Sequence, residues 1–299
     1  MHEDEILTPE AADESDPAVE SDPGVDAAPT DELPEVERPT RLLAESLRTR
    51  ALEIDAETRK LISSKKAFEP ESIHQTRVAT KTLRALWQLV RPVIEPQIAR
   101  AANDRLRELA YSLAGARDAQ VMAALLTDLR DADEMLFHGT FDRAGALFGE
   151  SPDPGEHAAA LRPAMLTTID GDRDDWKLLV LPDDRSLIEH GLGRVYRKTR
   201  RRAETAARTK THPDLHRWRR WVKYLRYQME ALFPDPPEGL AERIEGLKGL
   251  GRTLGLRNDL AVLRGRLLEL GGDDPFGAVF RAIDLRDQAL AIRIPQVAE

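Results

Sequence analysis

A twenty-residue segment, residues 73–92, returns 142 residues further along the chain at 215–234 with a set of its basic and apolar residues in the same places. His74, Arg77, Lys81, Leu83, Arg84 and Pro92 correspond to His216, Arg219, Lys223, Leu225, Arg226 and Pro234. A second pair follows at a spacing of 141: Leu109, Leu113, Asp118 and Val121 correspond to Leu250, Leu254, Asp259 and Val262, with Arg107 opposite Lys248. Two copies of one unit, in the same order and at nearly the same separation, predict a duplicated bundle with a pseudo-two-fold relation.

The repeated unit is helical by its spacing. At about 100° per residue, His74, Arg77, Lys81 and Arg84 fall within roughly a quarter of the circumference. Ala79, Leu83, Leu86, Val90 and Val93 gather on the far side. The second copy behaves alike: His216, Arg219, Lys223 and Arg226 share one face and Trp218, Trp221, Leu225, Met229 and Leu232 the other. Like charges three and four residues apart destabilise a helix by a few tenths of a kcal/mol per pair, so the stripes call for a counter-charge. The two stripes share no acidic residue; Glu230 lies on the second stripe, but its counterpart is Gln88. A polyvalent anion fits: Arg offers phosphate a planar fork of donors, Lys a point charge, and His a donor whose protonation phosphate favours. A solvated basic face is the usual fate of a single such run. Its recurrence in both halves argues for a ligand.

The rest of the chain supports an all-helical reading. Apolar residues recur at helical spacing near 39–64, 70–94, 96–114, 117–137, 185–209, 213–233, 238–254, 257–270 and 276–291. Pro70 and Pro213 suit first helical turns, Pro92 and Pro234 sit near helix ends, and Asn258 and Asp259 suit an N-terminal turn. The stretch 138–184 reads as an irregular connection, with loops at 151–155 and 170–172 and a short helix near 156–169. Its best strand candidate is Lys177 to Leu181, which stands alone. The overall charge of −9 conceals a division. Residues 1–37 hold 14 acidic side chains and no Lys or Arg; removing them from totals of 53 acidic and 44 basic leaves +5 for residues 38–299. Residues 1–38 read as a disordered acidic tail, too poor in apolar surface to offset the entropy of ordering, whose carboxylates would weaken binding of an anion. The chain contains no Cys, which excludes disulfides, thiolate metal sites and Cys nucleophiles. With no apolar run long enough to span a bilayer and no basic-then-apolar leader, it reads as cytoplasmic.

Together, His74-Gln75-Thr76-Arg77-Val78 with Lys81 and Arg84, Leu113-Ala114-Gly115-Ala116-Arg117-Asp118, His216, Arg219, Lys223 and Leu225-Arg226-Tyr227, and Leu254-Gly255-Leu256-Arg257-Asn258-Asp259 resemble the CHAD family, the conserved histidine α-helical domain. The similarity runs over roughly residues 40–299. It implies two four-helix bundles related by a pseudo-two-fold, with a basic groove between them. The first half is then about 39–137 and the second about 185–299. It also implies binding of inorganic polyphosphate and, in some members, association with polyphosphate granules. The binding positions carried over are His74, Arg77, Lys81, Arg84, His216, Arg219, Lys223 and Arg226. Arg107, Arg197, Arg201, Arg220, Tyr227, Lys248 and Arg252 are secondary candidates. The family often has two basic residues where this chain has Thr80-Lys81. Some members also carry a triphosphatase domain whose Glu-x-Glu-x-Lys motif begins here at Glu35-Val36-Glu37 but ends in Pro39.

Other constellations are weaker. Gly246 to Thr253 approximates a phosphate-binding P-loop, with Arg252 in place of Lys, but Leu247, Leu250 and Leu254 continue a helix and no strand precedes it. The glycines there suit close helix packing. Asp170-Gly171-Asp172-Arg173-Asp174 starts like a calcium loop but lacks the glycine and the final glutamate. His212 and His216, four apart, have zinc spacing, yet Arg219, Arg220 and Lys223 crowd the site against a cation. Arg194, Arg197 and Arg201 share a face, and Asp118 and Asp259 read as structural carboxylates. The expectation is therefore an all-helical, non-catalytic polyphosphate-binding module with no cofactor and no metal. A nucleic-acid-binding module is the alternative, disfavoured by the scarcity of aromatic platforms beyond Tyr227. A phosphohydrolase is the third reading and lacks paired carboxylates near both stripes.

Overall fold

The computed structural model describes residues 43–113, 115–132, 138–148, 155–181, 184–271 and 276–298, and the side chains of 115–120, 138, 155–159 and 295–298 lie outside the description. The expected acidic tail, residues 1–38, also lies outside it. Among the described residues every regular element is a helix. In chain order these are α1 (Leu43–Ser63), α2 (Pro70–Val90), α3 (Pro96–Ser112), α4 (Gly115–Asp131), α5 (His138–Ala146) and α6 (Gly155–Leu178). A short α7 (Asp184–Ser186) runs through a π-helical segment (Leu187–Leu192) into α8 (Gly193–Thr209). Then come α9 (His212–Leu232), α10 (Glu238–Leu270) and α11 (Gly277–Ala298). The two repeat helices, α2 and α9, begin and end 142 residues apart.

The boundaries have local causes. Pro70 and Pro96 occupy the first turns of α2 and α3, where a missing N–H leaves no bond unmade. Helix α8 stops at Lys210, whose φ of 54° is left-handed. Thr211 then caps α9, its hydroxyl accepting from the Asp214 amide at 3.4 Å. The Thr209 and Thr211 hydroxyls and the Arg217 guanidinium all bind the Asp214 carboxylate and hold it below the usual carboxylate range. The corner between the helices is thereby tied at four residues.

Apolar spacing decides the packing. Helices α1, α2, α3 and α6 enclose one core around Leu47, Leu86, Leu106 and Ile169, with Trp87 and Trp176 4.5 Å apart at its centre. Helices α8, α9 and α10 enclose another around Ala206, Trp218, Val222, Leu250 and Leu254, with Ile294 of α11 against it. A third core joins α4 and α5 to the C-terminal half of α10 and to α11, through Leu126, Phe141, Leu263, Phe276 and Ile283. Helices of the first half thus complete a core with helices of the second. The halves also meet along α2 and α9. Ala85 packs with Tyr224, Leu225 and Val195, and Gln228 Nε2 donates to the Ala85 carbonyl at 2.8 Å. Gly191 in the π segment lies so close to α2 that a Cβ there would stand 2.8 Å from the Leu89 carbonyl oxygen.

Three expectations need correction. The described residues of the segment 138–184 are more regular than expected, holding α5 and the 24-residue α6, while 151–154 of the expected loop lie outside the description. Asp170-Gly171-Asp172 is helical, and Lys177 to Leu181 is the end of that helix and three residues without regular structure, not a strand. Its composition suggests a turn, but Leu161, Met165, Ile169, Asp172 and Trp176 form one buried or half-buried line against α1 and α2. Burial of that line outweighs the local turn preference of Asp and Gly. Helix α10 runs unbroken for 33 residues, about 50 Å at 1.5 Å per residue, so Asn258 and Asp259 sit in its middle. The apolar line Leu250, Leu254, Leu260, Leu263 and Leu267 is buried throughout, which carries the helix past its glycines.

Candidate functional site

The first stripe lies on α2. His74 is half-buried, its Nδ1 enclosed without a hydrogen bond, on the wall of a cavity of about 570 Å³ between α1 and α2 that Arg50 and Lys60 also line. Arg77 donates from Nη1 to the Ala110 carbonyl at 3.0 Å. That carbonyl is in the last turn of α3, where helix geometry leaves acceptors unfilled. Lys81 is half-buried. Arg84 departs from the expectation: it is 4% exposed, and its Nε donates to Asn103 Oδ1 at 3.0 Å. It joins α2 to α3 from within the buried interior.

The second stripe lies on α9. His216 Nδ1 is 2.7 Å from Asn258 Oδ1. Arg219 lies over Gly255 of α10, where a Cβ would come within 3.2 Å of its Nε, and Lys223 passes Gly251, where a Cβ would lie 4.0 Å from its Cγ. The glycines read as packing residues do let α9 and its cations close onto α10. Arg226 is half-buried, 3.7 Å from Glu230 and over the Tyr227 ring at 4.4 Å, so its charge is shared within the protein. Among the described residues, Arg77 is held by a backbone carbonyl and Arg219 packs over Gly255 with its Nε enclosed and unbonded, and neither pairs with a carboxylate. Lys81 precedes Ala85 by about one helical turn, and Lys223 precedes Gln228 by somewhat more, so both stripes run toward the α2–α9 contact.

The secondary candidates divide. Tyr227 is 5% exposed and packed in the core between the halves, where burial pushes its phenol up; it offers no stacking platform. Lys248 and Arg252 both pair with Glu245, at 3.1 and 3.3 Å, and hold its carboxyl below the usual range. Their charge is therefore partly spent, as is that of Arg107, 3.6 Å from Asp104. Arg197 and Arg201 are exposed on α8, while Arg194 is drawn aside to the Gln88 carbonyl at 2.6 Å. Arg220 is half-buried with one enclosed Nη2 lacking a hydrogen bond. The side chains of Arg117 and Asp118 lie outside the described residues.

One residue was missed by the spacing argument. Asn258, read as part of a helix start, receives hydrogen bonds from two histidines: His216 at 2.7 Å and His212 Nε2 at 3.2 Å. These groups line a cavity of about 200 Å³ between α9, α10 and α11. Among the described residues no cluster of three or more His, Cys, Asp or Glu side chains is placed to hold a metal ion. No described helix is long and apolar enough to cross a membrane.

Comparison with known proteins bears on this surface. The family model described as CHAD domain matches residues 54–268, which includes both stripes. No curated protein matches the chain. Among solved structures, the crystal structure of the CHAD domain from the plant Ricinus communis is similar, with a TM-score of 0.56 and 23% identity over 85% of this chain and 87% of that one. At that identity the likeness concerns the fold.

Proposed function

The chain belongs to the CHAD domain family, and from that premise we propose that it binds inorganic polyphosphate, without catalysing its breakdown, through the basic residues of α2 and α9. The observation that carries this reading is the pair Arg77 and Arg219. They occupy equivalent places on two helices in contact, and among the described residues neither pairs with a carboxylate, which leaves their charge for an external anion. His74, Lys81, His216 and Lys223 extend each side. Binding is electrostatic, driven by neutralising closely spaced phosphates and releasing their counterions. Many weak contacts along one polymer act together, so long chains bind more tightly than short ones and a polyphosphate granule recruits the protein.

The test is retention on immobilised long polyphosphate. The variant Arg77→Glu, Lys81→Glu, Arg219→Glu, Lys223→Glu is expected to lose retention at 150 mM salt while its circular dichroism stays helical. The milder Arg77→Gln, Arg219→Gln variant is expected to lose about tenfold in affinity, the scale of two charge-assisted contacts made to a partly solvated phosphate. Retention equal to wild type in both variants overturns the assignment. In the same preparation, no phosphate release with magnesium or manganese is expected. DNA and RNA are expected to compete poorly, since the aromatic ring nearest the stripe, Tyr227, is enclosed.

A further inference from the structure

The cavity between α1 and α2 opens on the side of α2 turned away from the stripe. At about 100° per residue, Thr82 and Ala79 lie roughly 100° and 160° round the helix from Lys81. Its volume, about 570 Å³, falls within the roughly 300–1,000 Å³ of ordinary small-ligand sites.

The repeat shows what such a space accepts. Val78, Ala79 and Thr82, which line the cavity, correspond at the 142-residue spacing to Arg220, Trp221 and Tyr224. In the second half the Trp221 indole stands edge-on to Tyr224, 5.5 Å between centroids. The preceding helix, α8, sets Arg194 and Lys198 5.9 and 5.0 Å from the indole centre. Helix α1 precedes α2 as α8 precedes α9. The first half therefore presents small side chains where the second supplies its own aromatic rings.

The lining fits a ring with a charged head. Buried Ile54 and half-buried Leu61, Val78 and Ala79 give it an apolar floor. The Thr58 and Thr82 hydroxyls already donate to the Ile54 and Val78 carbonyls of their own helices, at 2.6 and 3.0 Å. On the rim Arg50 is paired with Glu53 at 3.2 Å, and Gln75 donates to Glu71 at 2.9 Å. Glu57 and Lys60, both exposed, have no ion-pair or hydrogen-bond partner for their side chains among the described residues. One unpaired charge of each sign thus stands at the mouth. A simple anion is opposed by Glu57 and a simple cation by Lys60, whereas a molecule carrying both charges satisfies both.

We propose that this cavity binds a free aromatic amino acid, its ring on the apolar floor, its ammonium toward Glu57 and its carboxylate toward Lys60. Burial of the ring supplies most of the affinity, and the two exposed rim contacts supply selectivity. The site is separate from the anion-binding face, and its occupancy does not depend on polyphosphate.

Fluorine NMR of 5-fluoro-L-tryptophan added to the full chain, with unlabelled L-tryptophan as competitor, tests this. A dissociation constant of about 0.5 mM is expected, the ordinary efficiency for a ligand of this size. Ala79→Trp places an indole where the second half has Trp221. It is expected to weaken binding about tenfold or more, while helicity and retention on polyphosphate match wild type. Thr82→Tyr, at the place of Tyr224, is a second filling variant with the same expected outcome. The exposed double variant Glu57→Ala, Lys60→Ala is expected to lose about threefold for L-tryptophan and nothing for 3-methylindole. No binding at about 5 mM, tenfold above the expected constant, overturns the site, as does undiminished binding in the filling variants that fold. Should neither fold, the rim variant decides, and unchanged L-tryptophan affinity there overturns the proposal. Indole-3-propionate or tryptamine competing as well as L-tryptophan overturns the assignment to an amino acid. A folded filling variant that also loses polyphosphate retention overturns the separation of the cavity from the stripe.

Discussion

Asp55 on α1 and Asp172 on α6 are carboxyl groups enclosed in the first core, 0% and 1% exposed. Burial, with the Asp172 charge beside it, pushes Asp55 up to about 9, and burial pushes Asp172 up to about 7 against the hydrogen bond from Trp87 Nε1 at 2.8 Å. Both values stand above those of an unfolded chain, near 4. The folded state therefore holds more protons than the unfolded one from about pH 4 to about 9, and stability falls as pH rises through that window. Asp55→Asn is expected to raise the melting temperature by several degrees at pH 8, to change it little at pH 4, and so to flatten its pH dependence; thermal unfolding at the two pH values checks this. Residue-scale detail of this kind separates positions that a helical wheel places together. Arg77 and Arg84 differ by about 20° on the wheel. One is held at the end of α3 with its charge available, and the other is enclosed against Asn103.

At the scale of elements, close helix contacts rest on particular glycines. Gly255 faces the end of a flexible arginine, whereas Gly191 faces the backbone of α2. The two predict opposite outcomes for the same substitution. Gly255→Ala is expected to be neutral or to stabilise by about 0.5–1 kcal/mol, because alanine favours the helix and Arg219 shifts aside. Gly191→Ala places a Cβ 2.8 Å from the Leu89 carbonyl oxygen and is expected to destabilise by about 1–3 kcal/mol, since packed backbones must separate. Urea unfolding of both variants decides it. Polyphosphate affinity is expected to drop in Gly255→Ala in proportion to how far Arg219 moves, which separates its binding role from its packing role. Continuity of α10 is an element-scale property too. Four glycines between 246 and 255 weaken the helix locally, and the leucines buried on its other face carry it through.

For the whole molecule the governing quantity is the division of charge, −14 in residues 1–37 against +5 in the remainder. Removing residues 1–37 changes the sign of the net charge and is expected to accelerate association with polyphosphate at low salt. The difference should vanish above about 0.3 M, where the screening length is well under 10 Å. Stopped-flow association rates across a salt series measure it. Helical class, the 142-residue repeat and the two basic stripes were legible from the chain because each is a local or periodic property: spacing on a helix needs no knowledge of neighbours. The full length of α6 was hidden because Asp170, Gly171 and Asp172 have turn preferences that only packing against α1 and α2 overrides. The same limit applies to the site. That His74, Arg77, Lys81 and their counterparts share one face of each helix followed from sequence alone. That Arg84 and Tyr227 are enclosed, that Lys248 and Arg252 answer to Glu245, and that Asn258 joins two histidines followed only from tertiary structure. Exposure and pairing depend on which helix crosses which, and at what height, and these are decided by contacts between residues far apart in the chain.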